Sequence, residues 1–289
     1  MKELVSPKQV ARAIGVSESS LKRWCDRGLI RTIRTAGGHR KLPISSVLEF
    51  IKSSGHELVQ PGLLGLPASI GQSPRTVDAA REFFLRALIA GDEQTCRRIV
   101  FDLLLADRPI SEIGDEVVAP TFAEIGEKWG CGDVEVYQER RSCEICIRLF
   151  HELRTWIGPA AEDAPTAIGC TLTGDYYTLS TTLVELVLRE NGWNANTYGN
   201  NLPVHTWVHA IQEQQPKLTW LSVSHIPDPV QFLQDVEDIF DAAHANDAVF
   251  VIGGRAVSES LRTRLKYDAF FESLADLSTY TSDLLVSQR

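Results

Sequence analysis

Residues 169–188, GCTLTGDYYTLSTTLVELVL, decide how the second half of this chain folds. An apolar strand-like run ends at Gly174-Asp175, and from Thr178 or Ser180 onward the apolar residues fall at helical spacing. Strand, tight turn and helix in that order form the unit of an alternating α/β domain. Working outward, further strand-like runs fall at 194–198, 218–224 and 248–253, with a fifth near 269–272. Helix-like runs fill the intervals near 178–190, 204–215, 229–244 and 256–266, and a last one lies near 277–286. The alternation predicts a doubly wound parallel sheet over residues 165–289, covered on both faces. In such sheets ligands sit beyond the carboxyl ends of the strands. Asp175, Tyr176, Tyr177, Ser180, Ser222, Ser224, Gly253 and Gly254 occupy those ends and are the candidate ligand-binding residues. Trp193 is expected to add to an aromatic cleft there.

Upstream, residues 76–160 carry apolar residues at i, i+3 and i+4 spacing in four segments with short joints. That pattern predicts a four-helix bundle. Trp129 ends one segment, and Glu139-Arg140 follows after nine intervening residues. Cys143 and Cys146 have a C-x-x-C spacing, with Cys131 nearby. A zinc site would require further Cys or His at matching spacing, and none completes the set, so no metal is expected. Small thiols lining a helical core account for the pair; a thiol-based redox switch is the competing reading.

The amino terminus differs in charge from everything after it. The chain of 289 residues has a net charge of −9, yet residues 1–55 contribute +7 and the remainder −16. A basic head on an acidic body is the distribution expected when one module meets phosphate and another does not. Within the head, SPKQVARAIGVSESSLKRWCDRGLI reads as two short helices around a turn at Gly15, the second capped by Ser17. Val16, Leu21 and Trp24 are expected to pack inward, leaving Ser19, Ser20, Lys22 and Arg23 on the outer face. Short hydroxyls flanked by cations suit base edges and phosphates. Two strand-like segments around Gly37-Gly38 then form a hairpin bearing Arg31, Arg34, His39, Arg40 and Lys41. Residues 55–75, rich in Gly, Pro and Ser, read as a linker.

VARAIGVSESSLKRWCDRGLI followed by RTAGGHRKL resembles the winged-helix DNA-binding domain of the MerR superfamily, over roughly residues 4–52. The resemblance implies binding to a double-stranded DNA operator as a dimer. The long dimerisation helix that follows the wing in the founding members is absent, so self-association must come from farther along the chain.

The α/β region in turn resembles the cobalamin-binding domain of methionine synthases and corrinoid carriers, whose pattern is D-x-H-x-x-G, then S-x-L, then G-G. Here Asp175-Tyr176-Tyr177-Thr178-Leu179-Ser180 is followed after 41 residues by Ser222-Val223-Ser224 and after 28 more by Gly253-Gly254. In that family the histidine ligates cobalt and the aspartate orients it. Tyr177 stands at the histidine position, and a neutral phenol is a poor substitute for imidazole. Ser180 stands at the glycine position, adding a side chain where the nucleotide tail runs, and Ser224 replaces the leucine. The whole order is similar to the light-responsive cobalamin-dependent repressors of carotenoid genes, whose helical bundle carries W-x9-E-H. Trp129 and Glu139 match that motif, and Arg140 stands where its histidine would be.

These readings together imply a multidomain protein. They divide it into a winged helix-turn-helix head (1–54), a linker (55–75), a cap-like four-helix bundle (76–160) and a cobalamin-binding-like, flavodoxin-like α/β domain (165–289). The expected function is a DNA-binding transcriptional regulator, not an enzyme, acting as a homo-oligomer. Its sensory module derives from a cobalamin-binding fold. Cobalamin is implied by resemblance alone, and His-on cobalt ligation is not expected. The alternatives are a light-sensing repressor holding the cofactor without the histidines, a module holding another small molecule, and a thiol redox-responsive regulator. Neither a signal-peptide core nor a membrane-length apolar run is present, so a cytoplasmic location is expected.

Overall fold

The computed structural model describes residues 3–67 and 77–287. The chain divides into two compact units, residues 1–109 with 116–158 and residues 110–115 with 159–289.

The first unit opens with β1 (Leu4–Val5), α1 (Pro7–Ala13), α2 (Glu18–Asp26), β2 (Ile33–Arg34), β3 (Arg40–Pro43) and α3 (Ile44–Ser54). Local chemistry sets each boundary. Ser6 and Gln9 form a reciprocal capping box and Pro7 starts α1. Gly15 takes φ +68° in the turn, a conformation that favours glycine. The Ser17 hydroxyl then accepts from the Ser20 N–H at 3.1 Å to start α2. The strands pair antiparallel in the order β1-β3-β2, with Val5 opposite Leu42 and Arg34 opposite Arg40. Val10, Ala13, Leu21, Ile30, Leu42, Val47 and Leu48 are buried beneath them. The inward face of α2 is Leu21 with Cys25, whereas Val16 and Trp24 are only half-buried. Residues 21 and 25 share one helical stripe, so Trp24 turns to the rim and packs tilted against Phe50 and edge-on to His56, with ring centroids 4.9 and 5.1 Å away.

Residues 55–67, expected as linker, are packed. Val59 and Gln60 donate N–H bonds to the Ala13 carbonyl at 2.7 and 3.0 Å. A 3₁₀ turn follows at Pro61–Leu64, Leu64 and Leu66 are buried, and Arg97 donates to the Gly65 carbonyl at 2.6 Å. Residues 68–75 of that expected linker lie outside the described residues. The unit continues with α4 (Val77–Ala90), α5 (Glu93–Leu105), α6 (Ala119–Gly130) and α7 (Val136–Ile157). Helix α4 packs against α5, α6 and α7, and α3 also reaches α7. Phe84, Leu88, Phe101, Ile125, Ile145, Leu149 and Phe150 are buried in this region.

The second unit alternates β4 (Thr166–Cys170), α8 (Leu179–Glu190), β5 (Asn194–Thr197), α9 (Val204–Gln214), β6 (Leu218–Ser222), α10 (Pro229–His244), β7 (Val249–Gly253), α11 (Glu259–Arg262), β8 (Ala269–Phe271) and α12 (Leu274–Ser287). All five strands are parallel, in the order β5-β4-β6-β7-β8. The period-two alternation of strand residues divides the core. Ile168, Cys170, Leu221, Phe250 and Ile252 pack with Trp207, Ile211, Phe232 and Val236 of α9 and α10. Ala167, Leu218, Trp220 and Val251 pack on the opposite face with Leu188 of α8, Trp193 and Leu277 of α12. Trp193 is fully buried there and donates its indole N–H to the Thr281 carbonyl. It is a core residue rather than part of a cleft, because it sits at the amino-terminal end of β5, opposite the edge where ligands bind.

Residues 110–115 join this unit from within the helical region. The Ile110 N–H donates to the Glu190 carboxylate at 2.8 Å, and the Asp115 carboxylate accepts the Leu274 and Ala275 N–H groups at 2.9 Å each. Asp115 thus satisfies free donors at the start of α12. Gly114 has no side chain where the Leu274 methyl packs. A π-helical turn at Ile113–Val118 then returns the chain to α6. Among the described residues no helix is long and apolar enough to cross a membrane.

Candidate functional site

The first candidate surface lies on the head. Ser19, Lys22 and Arg23 are exposed on α2, with Ser20 half-buried beside them, opposite Leu21 and Cys25. The three serine hydroxyls cluster, Ser17 lying 2.9 Å from Ser19 and 3.0 Å from Ser20. The β2–β3 hairpin turns through Gly38 at φ +75°, closed by the Thr35 N–H on the His39 carbonyl at 3.0 Å. Arg31, Arg34 and His39 are exposed on it and Lys41 is half-buried. Arg40 is engaged within the head: its guanidinium lies 2.8 Å from the Asp26 carboxylate at the end of α2. Asp26 is the residue that sequence reading passed over. The signal was present, since an acid in so basic a segment needs a local cation.

The second candidate surface is the carboxyl edge of the parallel sheet. The order β5-β4-β6 places a topological switch point between β4 and β6, where the crevice of such folds opens. Asp175 sits there, 2% exposed. One carboxylate oxygen accepts the Ser224 and His225 N–H groups at 2.6 and 3.0 Å, and the other accepts the Tyr177 N–H at 3.1 Å. Its own carbonyl accepts the Thr171 hydroxyl at 2.7 Å. The sequence frame is therefore tied together through Asp175, which joins the loop after β4 to the loop after β6. Ser180 and Ser224 face each other at 3.3 Å across the same gap. Ser222 is buried at the end of β6, where it pairs in register with Gly253 of β7. Gly254 takes φ +135° and leaves no room for a Cβ beside the Val223 carbonyl. Tyr176 and Tyr177 point outward, 67% and 56% exposed.

Asn200 and Asn201 were missed from sequence. Asn201 accepts the Gly174 N–H at 2.8 Å, and Asn200 donates to the Tyr176 carbonyl and the Thr178 hydroxyl at 2.8 and 2.7 Å. The paired asparagines after Gly199 carry the turn signal that could have found them. A cleft of about 150 Å³ opens beside Asp175, lined by Leu172, Ser222, His225, Pro227 and Phe232.

Trp129, Glu139 and Arg140 belong to the first unit, and the sheet-edge residues to the second. Trp129 is 55% exposed at the end of α6. Arg140 is exposed and lies 3.5 Å from the Glu139 carboxylate, and Glu139 also accepts the Cys143 thiol at 3.4 Å. Burial pushes the Cys143 and Cys96 thiols up to about 12, with acidic neighbours adding to both. Cys146 is raised well above the ordinary thiol value, again by burial first. Cys131 is the one exposed cysteine. No group of three or more His, Cys, Asp or Glu suited to a metal occurs among the described residues.

Comparison with known proteins places two family matches on the amino-terminal half of the chain. Residues 4–55 match the helix-turn-helix domain family and residues 80–154 match the B12 binding domain family. The trimethylamine corrinoid protein of Methanosarcina barkeri is 21% identical over 189 residues, covering 64% of this chain and 87% of that protein. The solved monomethylamine corrinoid protein of Methanosarcina barkeri superposes with a TM-score of 0.60 at 16% identity, over 72% of this chain and all of that one. The likeness establishes the fold: a cobalamin-binding type of α/β arrangement with associated helices, preceded by a helix-turn-helix. A helix-turn-helix suggests DNA binding, and a B12-binding domain suggests corrinoid binding.

Proposed function

We propose that this chain is a DNA-binding transcriptional regulator of the MerR type whose α/β unit derives from a corrinoid-binding fold and does not hold cobalt through a histidine. The observation that carries the DNA-binding half is the head. Helix α2 exposes Ser19, Lys22 and Arg23 above a buried Leu21/Cys25 stripe, next to a hairpin bearing Arg31 and Arg34. In a winged helix this arrangement sets α2 in the major groove and the hairpin on the backbone. Arg40 then holds the hairpin against α2 through Asp26 rather than gripping a phosphate itself. A symmetric dimer is the form in which so small a reading head gains useful affinity.

The second half rests on Tyr177 and Asp175. Tyr177 offers a phenol where the fold's pattern has an imidazole. The Asp175 carboxylate, which would orient that imidazole, is occupied by backbone N–H groups of its own loops. The role proposed is binding and self-association rather than catalysis. A thiol switch built on Cys131, Cys143 and Cys146 finds less support, because burial raises the Cys143 and Cys146 thiols well above the ordinary value, a thiolate is the reactive form, and Cys131 alone of the three is exposed.

The test is binding of the purified full chain to DNA from its own promoter region by fluorescence anisotropy, with salt varied. Salt-sensitive specific binding, lost in Lys22→Ala/Arg23→Ala, is expected. Binding of promoter and random duplexes with equal affinity would remove the regulator reading.

A further inference from the structure

A closed cluster of side chains lies behind the tyrosines, between the sheet and the first turn of α8. Gly169 of β4 pairs in register with Trp220 of β6. The Trp220 indole lies over Gly169 so closely that a Cβ at position 169 would overlap its ring. Its N–H donates to the Thr181 hydroxyl at 3.0 Å, and Thr181 lies 3.1 Å from the Thr197 hydroxyl. Thr197 donates onward to the Gly169 carbonyl at 3.3 Å, which closes the ring of contacts. Trp220 and Thr181 are buried. Above them, the Ser180 and Ser224 hydroxyls meet at 3.3 Å across the mouth.

We propose that this unit excludes the nucleotide arm of a corrinoid, because Trp220, seated on Gly169 and bonded to Thr181, fills the slot between the sheet and α8 that the arm would enter. The proposal rests on the corrinoid-derived reading of the fold given above. A buried polar group without a partner would betray a vacated ligand position, but the polar atoms here bond to one another. The indole also fills its side of the sheet with Leu188, Trp193, Leu218 and Val251. Admitting an arm would mean expelling a tryptophan from a packed core and breaking a bonded triad, so the closed state is part of the folded structure rather than a gate across it.

The experiment compares hydroxocobalamin with cobinamide, which has the same macrocycle and lacks the nucleotide arm. The full-length chain is dialysed to equilibrium against each in the dark, and bound corrinoid is read from visible absorbance. Hydrogen exchange of the amides of α8 and β6 is measured alongside. Cobalamin is expected to bind no more than about threefold tighter than cobinamide, or neither to bind, with exchange in α8 and β6 unchanged by either. Cobalamin binding at least tenfold tighter than cobinamide, or altered exchange in the first turn of α8 with cobalamin alone, would overturn the proposal. DNA affinity measured on the same preparation keeps the two readings separable. Loss of DNA binding counts against the regulator and leaves the corrinoid comparison standing.

Discussion

Replacing Asp175 by alanine should unlock the carboxyl edge of the parallel sheet. The buried carboxylate accepts three backbone N–H groups, from Ser224, His225 and Tyr177. Hydrogen bonds to a charged partner contribute about 1.5–3 kcal/mol each, and a buried donor left without one carries its full desolvation cost. The Tyr177 N–H lies in an exposed loop and can turn to water, so two bonds dominate. Asp175→Ala should therefore cost about 3–5 kcal/mol, and Asp175→Asn about 1–2, since an amide oxygen still serves Ser224 and His225 without the charge. For a unit of this size each kcal/mol lowers the melting temperature by about 3 °C, so the alanine variant should melt about 10 °C earlier. Tryptophans 193, 207 and 220 are fully or almost fully buried in this unit, so a fluorescence-detected thermal melt reports its unfolding, on top of the signal from Trp24, Trp129 and Trp156 of the first unit that the parent and the variant share. The loss should change little with added salt, because buried bonds are poorly screened. An alanine variant melting within about 2 °C of the parent would refute the reasoning. It would mean that the carboxylate is not the tie between the β4 and β6 loops.

Other expectations follow from the same geometry. Arg34→Ala should weaken DNA binding and flatten the dependence of log affinity on log salt by about one unit per protomer, whereas Arg40→Ala should weaken binding with the slope retained, which anisotropy titrations at several salt concentrations would separate. Asp26→Asn, which removes the Arg40 partner, should likewise loosen the hairpin, seen as faster amide exchange over residues 33–43. Thiol titration of the native protein at pH 8 should give one fast-reacting group, Cys131. Cys96 and Cys143, pushed to about 12, should carry on the order of a thousandfold less thiolate than an ordinary cysteine and react only on unfolding. Gly254→Ala should cost more than about 2 kcal/mol by the same melt, since φ +135° disfavours any side chain and the Val223 carbonyl occupies the Cβ position.

Much of this molecule is written locally in the sequence. The turn at Gly15 with its Ser17 cap and the alternation from β4 to β8 depend on short-range chemistry: which residues cap, which break and which alternate. These were legible because backbone propensity and hydrophobic period act over a few residues. The placement of Asp175, Ser222 and Gly253 was legible for a related reason, since parallel strands bring their carboxyl ends to one edge. What sequence left undetermined depends on partners far apart in the chain. Trp193 reads as a cleft aromatic, yet it lies in the core at the amino-terminal end of β5, where its indole N–H is satisfied by the Thr281 carbonyl 88 residues away. Residues 110–115 continue a helical pattern, yet they pack into the α/β unit because Asp115 caps α12 about 160 residues later. Residues 55–67 have a linker's composition and are nonetheless held by the Ala13 carbonyl and Arg97. On the resemblance alone, Tyr177 stands where the cobalamin-binding pattern has an imidazole. The close packing behind the tyrosines was decided only when β4 and β6 paired in register and laid Trp220 over Gly169, a contact between residues that no local pattern connects.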